Sequence, residues 1–516
     1  MFCALVFSAL FVLGNVHASP NELYNCFVCT VSVENSFKVQ EPSLFKSCSL
    51  MFGAEGSYIC DDFKDSASVD LSSLDSARSI CEERQICGNL EDEEWKTHVA
   101  NLPTPDPNDL DVRISKGYGS RGYDSIRISV ISHEPIPSPL FSYSYRFKYR
   151  WTHYFLNTGV VTVVPGEKNT FRILNDTISV MIPKENDPVR GVIVADPCFS
   201  SQFVWCTYGE KMHTFNRSVE LLNAIHAHED SDFWMILGDN FYDVNGNITQ
   251  EWFGALSKET KSRVYGTLPG NHDFWVLSAP VVWIQKVDQL GNGFMQWNGQ
   301  DVAASVVPSS DPQAVPDSPY DFVNDPDAED ADSQASLPPL TNFFSYYKMG
   351  NVGFISYSGA HDYISTAPYL EEACDYFNAN PPDAVLLLGH WNSRGLGCSS
   401  DMSVPEFYKE ILEIPSCSGL GDKLRYVMGH LHCNTVVEPD VGFMVAGQGM
   451  TAEHLECDGK YGLPFVDTYG GNFSIYYFDI QKYDEYDNYD VIIDCIKTNG
   501  ISQCYHLAEV WTSVPL

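Results

Sequence analysis

Residues 233–242 read Phe233-Trp-Met-Ile-Leu-Gly-Asp-Asn-Phe-Tyr242, and residues 267–273 read Thr267-Leu-Pro-Gly-Asn-His-Asp273. In each stretch an apolar run ends abruptly in glycine followed by polar side chains. Buried parallel strands end in this way at the carboxyl edge of a sheet, where open α/β sheets bind their ligands. Asp, Asn and His bind metals, as does Tyr once it is deprotonated. The two stretches therefore predict half of a metal site.

Three further apolar runs end in potential metal ligands. They are Val192–Asp196, Ala384–His390 and Leu424–His432, the last of which ends in Gly429-His430-Leu431-His432. A single aspartate after a strand is more often a turn or capping residue. Five such runs in order along the chain favour a common site. An amphipathic helix predicted over Phe215–His228 separates the first two runs, and strand–helix–strand order is typical of a parallel α/β sheet.

Length and charge restrict the class of protein. A chain of 516 residues is expected to form two or three domains. The formal net charge of −37 argues against nucleic acid as a partner, because no basic stripe could neutralise phosphates. It also disfavours adsorption to an anionic membrane. The charge has two open explanations, which are solubility and an acidic working compartment in which many carboxylates would be protonated.

The N-terminus predicts secretion. Residues 1–18 are interpreted as a signal peptide, with an apolar core over Phe2–Leu13 although no Lys or Arg precedes it. No later stretch has the roughly 18 apolar residues that span a bilayer, so we expect no transmembrane segment. The chain has 16 cysteines, which fits an oxidising secretory or lysosome/vacuole-like compartment. Four N-x-S/T sequons predict glycosylation at Asn175, Asn216, Asn247 and Asn472.

Residues 21–89 contain six cysteines, a density typical of a small disulfide-stapled scaffold. The spacing alone allows fifteen pairings. It resembles that of the saposin B-type domain, and this resemblance implies a small helical fold with nested disulfides. The implied pairs are Cys26–Cys87, Cys29–Cys81 and Cys48–Cys60. Two roles stay open for this domain, which are contact with lipid and a structural cover for the rest of the protein.

The rest of the chain divides by composition. Residues 90–111 are acidic and proline-rich and predict a linker, and residues 112–189 alternate with period two and predict a small β domain. The catalytic domain is expected over 190–516. Within it, residues 299–339 are acidic and lack periodicity, which predicts a mobile surface insertion. Further strands are expected near the C-terminus, including one at Val491–Ile493.

The five strand-end motifs resemble those of the calcineurin-like metallophosphoesterase superfamily. Its order of Asp, Gly-Asp, Gly-Asn-His-(Asp/Glu), His and Gly-His-x-His appears from Asp196 to His432. The resemblance implies an α/β fold in which a β-sandwich is flanked by helices (α-β-β-α). It also implies a dinuclear metal site that hydrolyses phosphate esters with metal-activated water.

The first motif departs from the common pattern of that superfamily. Asp-x-His is replaced here by Asp196-Pro197-Cys198, which removes one histidine ligand. Tyr242 follows Asp239 as Gly-Asp-x-x-Tyr, and this resembles the purple acid phosphatases of the small tartrate-resistant type, in which a tyrosinate replaces that histidine. A phenolate favours Fe(III). Tyr242 could instead be a packing residue. Cys198 could be a ligand, but a disulfide, for example with Cys206, or simple packing is favoured.

The resemblance implies a role for each motif residue. The tyrosine-side site, expected to hold Fe(III), takes its own ligands from Asp196, Tyr242 and His432. The amide-side site, expected to hold Fe(II), Zn or Mn, takes its own ligands from Asn271, His390 and His430. Asp239 bridges both. His272 is expected to bind a phosphate oxygen and protonate the leaving group, with Asp273 orienting its ring.

Three functions remain open from the sequence. The leading one is a secreted acid-phosphatase-like enzyme acting on phosphate esters. A saposin-like domain joined to a phosphoesterase domain also resembles acid sphingomyelinases, which would imply two zinc ions and a phosphodiesterase acting on phospholipid head groups. Tyr242 and Cys198 depart from the ligand pattern expected there. The third is a non-catalytic secreted protein that binds lipid or protein.

Overall fold

The computed structural model describes most of the region from residue 110 onward and part of the N-terminal region. The described residues are 42–52, 110–116, 122–146, 154–199, 213–243, 246–273, 344–359, 363–390, 402–447, 459–482 and 486–516, together with single residues elsewhere. The predicted signal peptide and the predicted insertion at 299–339 lie outside these residues, as does nearly all of the predicted linker.

The strands belong to one large sheet, one smaller sheet and one hairpin. They are β1 (Asp111–Lys116), β2 (Ser125–Ser132), β3 (Tyr143–Arg146), β4 (Phe155–Thr162), β5 (Asn169–Ile173), β6 (Asp176–Val180), β7 (Arg190–Val194), β8 (Phe233–Leu237), β9 (Val264–Leu268), β10 (Phe344–Met349), β11 (Val352–Tyr357), β12 (Ala384–Gly389), β13 (Leu424–Met428), β14 (Thr435–Glu438), β15 (Gly442–Met444), β16 (Lys460–Asp467), β17 (Asn472–Lys482), β18 (Tyr486–Asp487) and β19 (Glu509–Pro515).

The large sheet has eleven strands in the order β18-β17-β16-β7-β8-β9-β1-β2-β4-β3, with β19 paired to β17. The smaller sheet has six strands in the order β10-β11-β12-β13-β15-β14. Strands β7, β8 and β9 are parallel neighbours, and so are β12 and β13. Their carboxyl ends therefore meet at one edge of each sheet.

Helices cover the outer faces of both sheets. Those in the described residues are α1 (Leu44–Phe52), α2 (Thr214–Ala227), α3 (Asn247–Ala255), α4 (Lys258–Lys261), α5 (Tyr363–Ala379), α6 (Val404–Glu413) and α7 (Tyr489–Asn499). Helix α2 confirms the helix predicted over Phe215–His228, and it buries Val219, Leu222 and Ile225. Helix α6 begins with a capping box in which Ser403 and Glu406 satisfy each other's free backbone N–H groups.

Successive side chains of each central strand point to opposite faces of its sheet, and so contribute to different cores. In β8, Met235 and Leu237 point into the core between the sheets, where Leu386 of β12 also lies. Trp234 and Ile236 point the other way, into the core beneath the helices. Strand β12 alternates in the same manner, because its other side chains pack beneath α5 and α6. The result is the predicted α/β sandwich of two sheets flanked by helices.

The segment predicted as a small β domain, 112–189, contains strands as expected. Strands β1 to β4 do not form a sheet of their own, because β1 pairs in parallel with β9 at Ile114 and Val264. Only the β5–β6 hairpin stands apart as a two-stranded sheet. Ile114, Ile126 and Ile128 lie in the core between the large sheet and the smaller sheet. This β-rich segment is thus an extension of the main sheet.

One predicted element is wrong. Val491–Ile493 lies in helix α7 and not in a strand. A longer window shows the period of a helix. The buried residues of this segment, spaced three and four apart, are Tyr489, Ile492, Ile493 and Ile496. A three-residue window is too short to distinguish the two periods.

Candidate metal centre

The five predicted strand ends come together at one place. Asp196 follows β7, Asp239 follows β8, and Asn271 follows β9 at the carboxyl edge of the large sheet. His390 follows β12, and His430 follows β13, at the facing edge of the smaller sheet. All five side chains are buried, between 1% and 7% exposed. The sandwich therefore joins ligands that lie as much as 236 residues apart in sequence, from Asp196 to His432.

On the tyrosine side, three donor atoms converge. The Tyr242 hydroxyl lies 2.6 Å from Nε2 of His432 and 3.4 Å from Oδ1 of Asp196. His432 Nε2 is 3.7 Å from the same Asp196 oxygen. Tyr242 is 8% exposed, so its hydroxyl is buried within this group.

On the amide side, the donors are centred on Asp239. Ligand atoms of Asp239, His390 and His430 all lie within 4.8 Å of one another. His390 Nε2 is 3.3 Å from Oδ2 of Asp239 and 3.7 Å from Oδ1 of Asp196, so it links the two sides. Asn271 Oδ1 lies 3.0 Å from Nδ1 of His430. The structure thus brings all seven predicted ligands together.

The glycines before the ligands are required by close packing. Gly238 has a φ of 82°, and a Cβ there would overlap the ring of His390. A Cβ at Gly270 would overlap the carboxylate of Asp239. This explains why the apolar runs end in glycine before the polar side chain: the neighbouring ligand occupies the space of the missing side chain.

The backbone of the site adopts a conformation that non-glycine residues rarely take. Asp196, Asp239, Tyr242 and His432 have φ values between 50° and 54°, and His430 has a φ of 99°. Each such residue costs about 1–3 kcal/mol, and persists only where the surrounding structure enforces it. Concentrated strain of this kind at strand ends is typical of a functional site.

The two buried carboxylates behave differently. Burial raises the pKa of Asp196 to about 6, although the nearby charges of His390 and His432 lower it. Burial also acts on Asp239, but the charges of His390 and His272 outweigh it and hold the pKa of Asp239 below its usual range. Asp239 is therefore ionised across the physiological range and favours positive charge beside it.

The histidines also differ. Burial lowers the pKa of His390, but Asp239 and Asp196 outweigh it and raise the pKa to about 9. Burial and the charge of His390 lower the pKa of His430 to about 3. The carboxylates thus hold one positive charge on His390. Burial and that charge keep His430 neutral, which is the form of histidine that binds metals.

The donor set fits a metal. It combines carboxylate and phenolic oxygens with imidazole nitrogens, the ligand types of Fe, Zn and Mn. Among the residues that the structure describes, Nε2 of His430 is buried and has no hydrogen-bond partner. A buried nitrogen of this kind is costly unless something binds it. Nδ1 of His390 lies 2.8 Å from the carbonyl oxygen of Leu237, an arrangement that orients the ring and leaves Nε2 facing the carboxylates.

His272, which is predicted to bind substrate and not metal, lies at the edge of the ligand cluster. It is exposed, whereas Asn271 before it and Asp273 after it are buried. Its backbone N–H donates to Oδ1 of Asp239 over 2.8 Å, and its ring lies 4.7 Å from that of Tyr242 between centroids. The imidazole therefore stands at the open side of the ligand cluster.

Asp273 is placed differently from the expectation that it orients His272. Its carboxylate accepts bonds from the backbone N–H of Asn240 (2.9 Å), the side-chain amide of Asn240 (2.9 Å) and the N–H of Gly270 (2.7 Å). It therefore clamps the loop after β8 to the loop after β9. Burial and the charge of Asp239 raise the pKa of Asp273 to about 7. Sequence reasoning missed Asn240, since nothing in the pattern distinguishes it from a turn residue.

Cys198 is disulfide-bonded, so it supplies no thiolate to the site. Of the interpretations left open for it, the disulfide is the one the structure shows. Two of the disulfides implied by the saposin-like spacing, Cys29–Cys81 and Cys48–Cys60, are present. Cys26 and Cys87 lie outside the described residues. Further disulfides join Cys374 to Cys417 and Cys495 to Cys504.

The four sequons lie in different settings. Asn175 is exposed in the turn between β5 and β6, the most open of the positions whose side chains are described. Asn216 is half-buried in α2, and Asn472 is half-buried and donates to Ser513 over 3.4 Å. Asn247 is the first residue of α3. Among the described helices, none is long and apolar enough to cross a membrane.

Comparison with known families identifies one region. Residues 189–434, just under half of the chain, match the family described as Calcineurin-like phosphoesterase. The matched region runs from the start of β7 to just beyond the Gly-His-x-His motif, and so includes every strand end described above. These residues are therefore similar in sequence to a calcineurin-like phosphoesterase. None of the curated proteins compared matches the chain in sequence.

Solved structures give two distant likenesses. A purple acid phosphatase, PPD1, isolated from seeds of yellow lupin (Lupinus luteus) has a TM-score of 0.43 and 13% identity, over 73% of each chain. A putative 5'-nucleotidase from Staphylococcus aureus has a TM-score of 0.27 and 12% identity, over 64% of this chain and 54% of that one. At these scores neither likeness adds to the argument.

Proposed function

We propose that this chain is a metal-dependent phosphoric ester hydrolase of the acid phosphatase kind, with a dinuclear centre of Fe(III) and Fe(II), Zn or Mn. The observation that carries the proposal is the convergence of Asp239, His390 and His430 within 4.8 Å, inside the region similar to a calcineurin-like phosphoesterase. Asp196, Tyr242 and His432 extend the cluster on one side, and Asn271 on the other.

The donor types support the assignment of two subsites. Asp196, Tyr242 and His432 offer two oxygens and one nitrogen within 3.7 Å of one another, and a phenolate is a hard ligand suited to Fe(III). Asn271, His390 and His430 offer one amide oxygen and two nitrogens, which suit Fe(II), Zn or Mn. Bound metals would supply positive charge to the phosphoryl oxygens and lower the pKa of a coordinated water.

The chain's own residues would do the rest. The ionised Asp239 lies 3.3 Å from Nε2 of His390 and accepts a hydrogen bond from the backbone N–H of His272. His272 is exposed, which suits a side chain that must reach the substrate. We propose that its imidazole binds a phosphate oxygen and donates a proton to the leaving group. Asp273 would act as a positioning residue through Asn240 and Gly270.

The compartment is part of the proposal. Disulfides at several places in the described chain are typical of secreted proteins and of the lysosome or vacuole. The net charge of −37 would be relieved in acid, where carboxylates protonate. We propose an extracellular or acidic vesicular location, and phosphate esters as the substrate. Whether the N-terminal region contacts lipid stays open.

A substrate panel tests the reaction. Metal-depleted protein is reconstituted with iron, zinc or manganese and assayed with a phosphate monoester, a phosphate diester and sphingomyelin. The proposal expects monoester hydrolysis to dominate, with a loss of about 10²–10⁴-fold in kcat for His272→Ala but unchanged metal content. His506→Ala, which changes an exposed histidine near the C-terminus, is the control. A zinc form that cleaves only sphingomyelin would favour the sphingomyelinase-like alternative. A protein that cleaves none of the three substrates would favour the non-catalytic alternative.

An optical spectrum tests the tyrosine side separately. The iron form should absorb visible light through tyrosinate coordination, and Tyr242→Phe should remove that band. Tyr346→Phe is the control, because Tyr346 is also buried but donates to Glu372 away from the site. A colourless iron form, or a band that survives in Tyr242→Phe, would exclude Tyr242 as a ligand.

A further inference from the structure

Two loops on the tyrosine side run directly into disulfide-bonded cysteines. Cys198 lies two residues after Asp196, and Cys433 lies immediately after His432. Both cysteines are disulfide-bonded, and both are buried, at 1% and 3% exposure. On the amide side, His430 lies three residues before Cys433, whereas Asn271 and His390 have no cysteine within three residues in sequence.

Cys198 also reaches the third ligand of the tyrosine side. It forms a parallel β-bridge with Phe241, the residue before Tyr242. Its carbonyl oxygen accepts a hydrogen bond from Thr214, the first residue of α2, over 3.1 Å. Cys198 therefore connects the loop after β7, the loop after β8 and the start of α2.

The tyrosine side needs more support than the amide side. Asp196, Tyr242 and His432 all have φ values near +50°, whereas on the amide side His430 has a φ of 99° and Asn271 and His390 do not have positive φ. The left-handed conformation costs about 1–3 kcal/mol for each such residue, and the surrounding structure must compensate. A covalent crosslink beside a strained residue restricts the alternatives into which the loop could relax.

We propose that the disulfides at Cys198 and Cys433 are positioning elements that hold Asp196, Tyr242 and His432 in their ligand geometry. The inference rests on the proposed function for its metal, but the placement of the cysteines is independent of it. When a dithiol reduces these two disulfides, each takes up two electrons and two protons, and one dithiol per bond is oxidised to a disulfide. Reduction should therefore weaken the tyrosine side first.

Single cysteine variants test the proposal. Cys198→Ser and Cys433→Ser are compared with Cys374→Ser and Cys504→Ser, which likewise leave one unpaired cysteine each but break disulfides on the outer helices. We expect one metal to bind about 10–100-fold more weakly in the first pair, the size of effect typical of lost ligand support, and little change in the second pair. The tyrosinate band of the iron form should fall in parallel.

A readout without metal separates this proposal from the proposed function. Amide hydrogen exchange of metal-depleted protein should accelerate in the segments around Asp196 and His432 for the first pair of variants only. If these variants are not secreted, graded reduction and alkylation of the wild type replaces them, and modification of Cys198 and Cys433 should track the loss of the metal. Equal exchange and equal metal binding across all four variants would overturn the proposal. Faster exchange in a protein without phosphatase activity would keep it and reject the proposed function.

Discussion

The two edges of the large sheet both carry buried charges, but they use them differently. At the amino edge, Arg190 of β7 pairs with Asp467 over 3.0 Å and with Asp230 over 3.1 Å, and stacks on Tyr469. One cation thus lies beside two carboxylates there. Beyond the opposite end of the same strand, Asp196 meets Asp239 and histidines that neutralise them only when protonated.

The difference distinguishes a structural cluster from a functional one. The amino edge satisfies its own charges, so it contributes to stability and needs no ligand. The carboxyl edge collects carboxylates, imidazoles and a phenol on strained backbone, and its described ligand residues include no Lys or Arg. An arrangement of this kind is stable when an external cation completes it.

The largest expected effect is at the centre of the carboxyl edge. Asp239→Asn keeps the size of the side chain but removes the negative charge beside His390 and His430. Phosphatase activity should fall to background and metal content should drop, while the circular dichroism spectrum stays that of the wild type. Elemental analysis with a monoester assay measures both. Retention of full activity by this variant would contradict the assignment of the site.

The clamp between the two ligand loops should give a smaller effect. Asp273→Asn leaves one acceptor oxygen for three donors, so at least one charge-assisted bond to Asn240 or Gly270 is lost. We expect metal to bind about 10–100-fold more weakly. The free energy of unfolding should also fall by about 2–3 kcal/mol. Metal titration and urea unfolding measure the two losses. A variant that loses stability but binds metal normally would restrict Asp273 to a structural role.

At the amino edge the pattern should reverse. Arg190→Ala removes two ion pairs and leaves Asp467, which is 6% exposed, with less compensation. The free energy of unfolding should fall by about 2–3 kcal/mol, because a buried charge loses its partner. The folded protein should keep its kcat and metal content. Urea unfolding together with the monoester assay tests this, and a selective loss of kcat in fully folded protein would refute the division between the two edges.

The smallest expected effect is a pH dependence beside the amino edge, where His226 contacts the residues just before β8 and β9. His226 lies buried at the end of α2, and burial and the charge of Arg263 lower its pKa to about 3. Because its folded pKa lies below the unfolded value of about 6.5, its contribution to stability is complete above pH 6.5 and is lost as the pH falls. At pH 5 the loss is roughly 2 kcal/mol.

A glutamine variant isolates this contribution. His226→Gln can still bond to Ser231, which lies 3.2 Å from Nε2 of His226, but it does not titrate. Between pH 7 and pH 5, metal-depleted wild type should lose roughly 2 kcal/mol more stability than the variant. Burial raises the pKa of Asp232 to about 6, an effect of opposite sign that is common to both proteins and cancels in the comparison. Equal pH dependence in the two would show that His226 does not titrate as described.

Many residues of the carboxyl edge could be predicted from sequence, because each strand end is marked by a short stretch of neighbouring residues. An apolar run that ends in glycine and a polar residue reports a strand end, as at Gly238-Asp239 and Gly429-His430. Which strand ends face one another depends on the pairing of β7, β8 and β9 and on the packing of two sheets. The order of the motifs along the chain, and their resemblance to a known family, supplied that information here.

Other features could not be predicted because they depend on contacts distant in sequence. The parallel pairing of β1 with β9 joins 112–189 to the main sheet, and no period-two pattern encodes a partner strand. Adjacency in sequence suggests that Asp273 orients His272, but the hydrogen bonds of the Asp273 carboxylate come from Asn240 and Gly270. Val491–Ile493 lies in a helix. Three apolar residues alone suggest a strand, because they are fewer than one helical repeat and do not show its period.

The number of metal ions bound per chain tests the central claim most directly. Purified protein should contain two metal ions per chain by elemental analysis, and Asp239→Asn should contain fewer. A chelator that removes them should abolish monoester hydrolysis, and adding metal back should restore it. Wild-type protein that hydrolyses phosphate monoesters with no bound metal, or that binds no metal under any condition, would contradict the account.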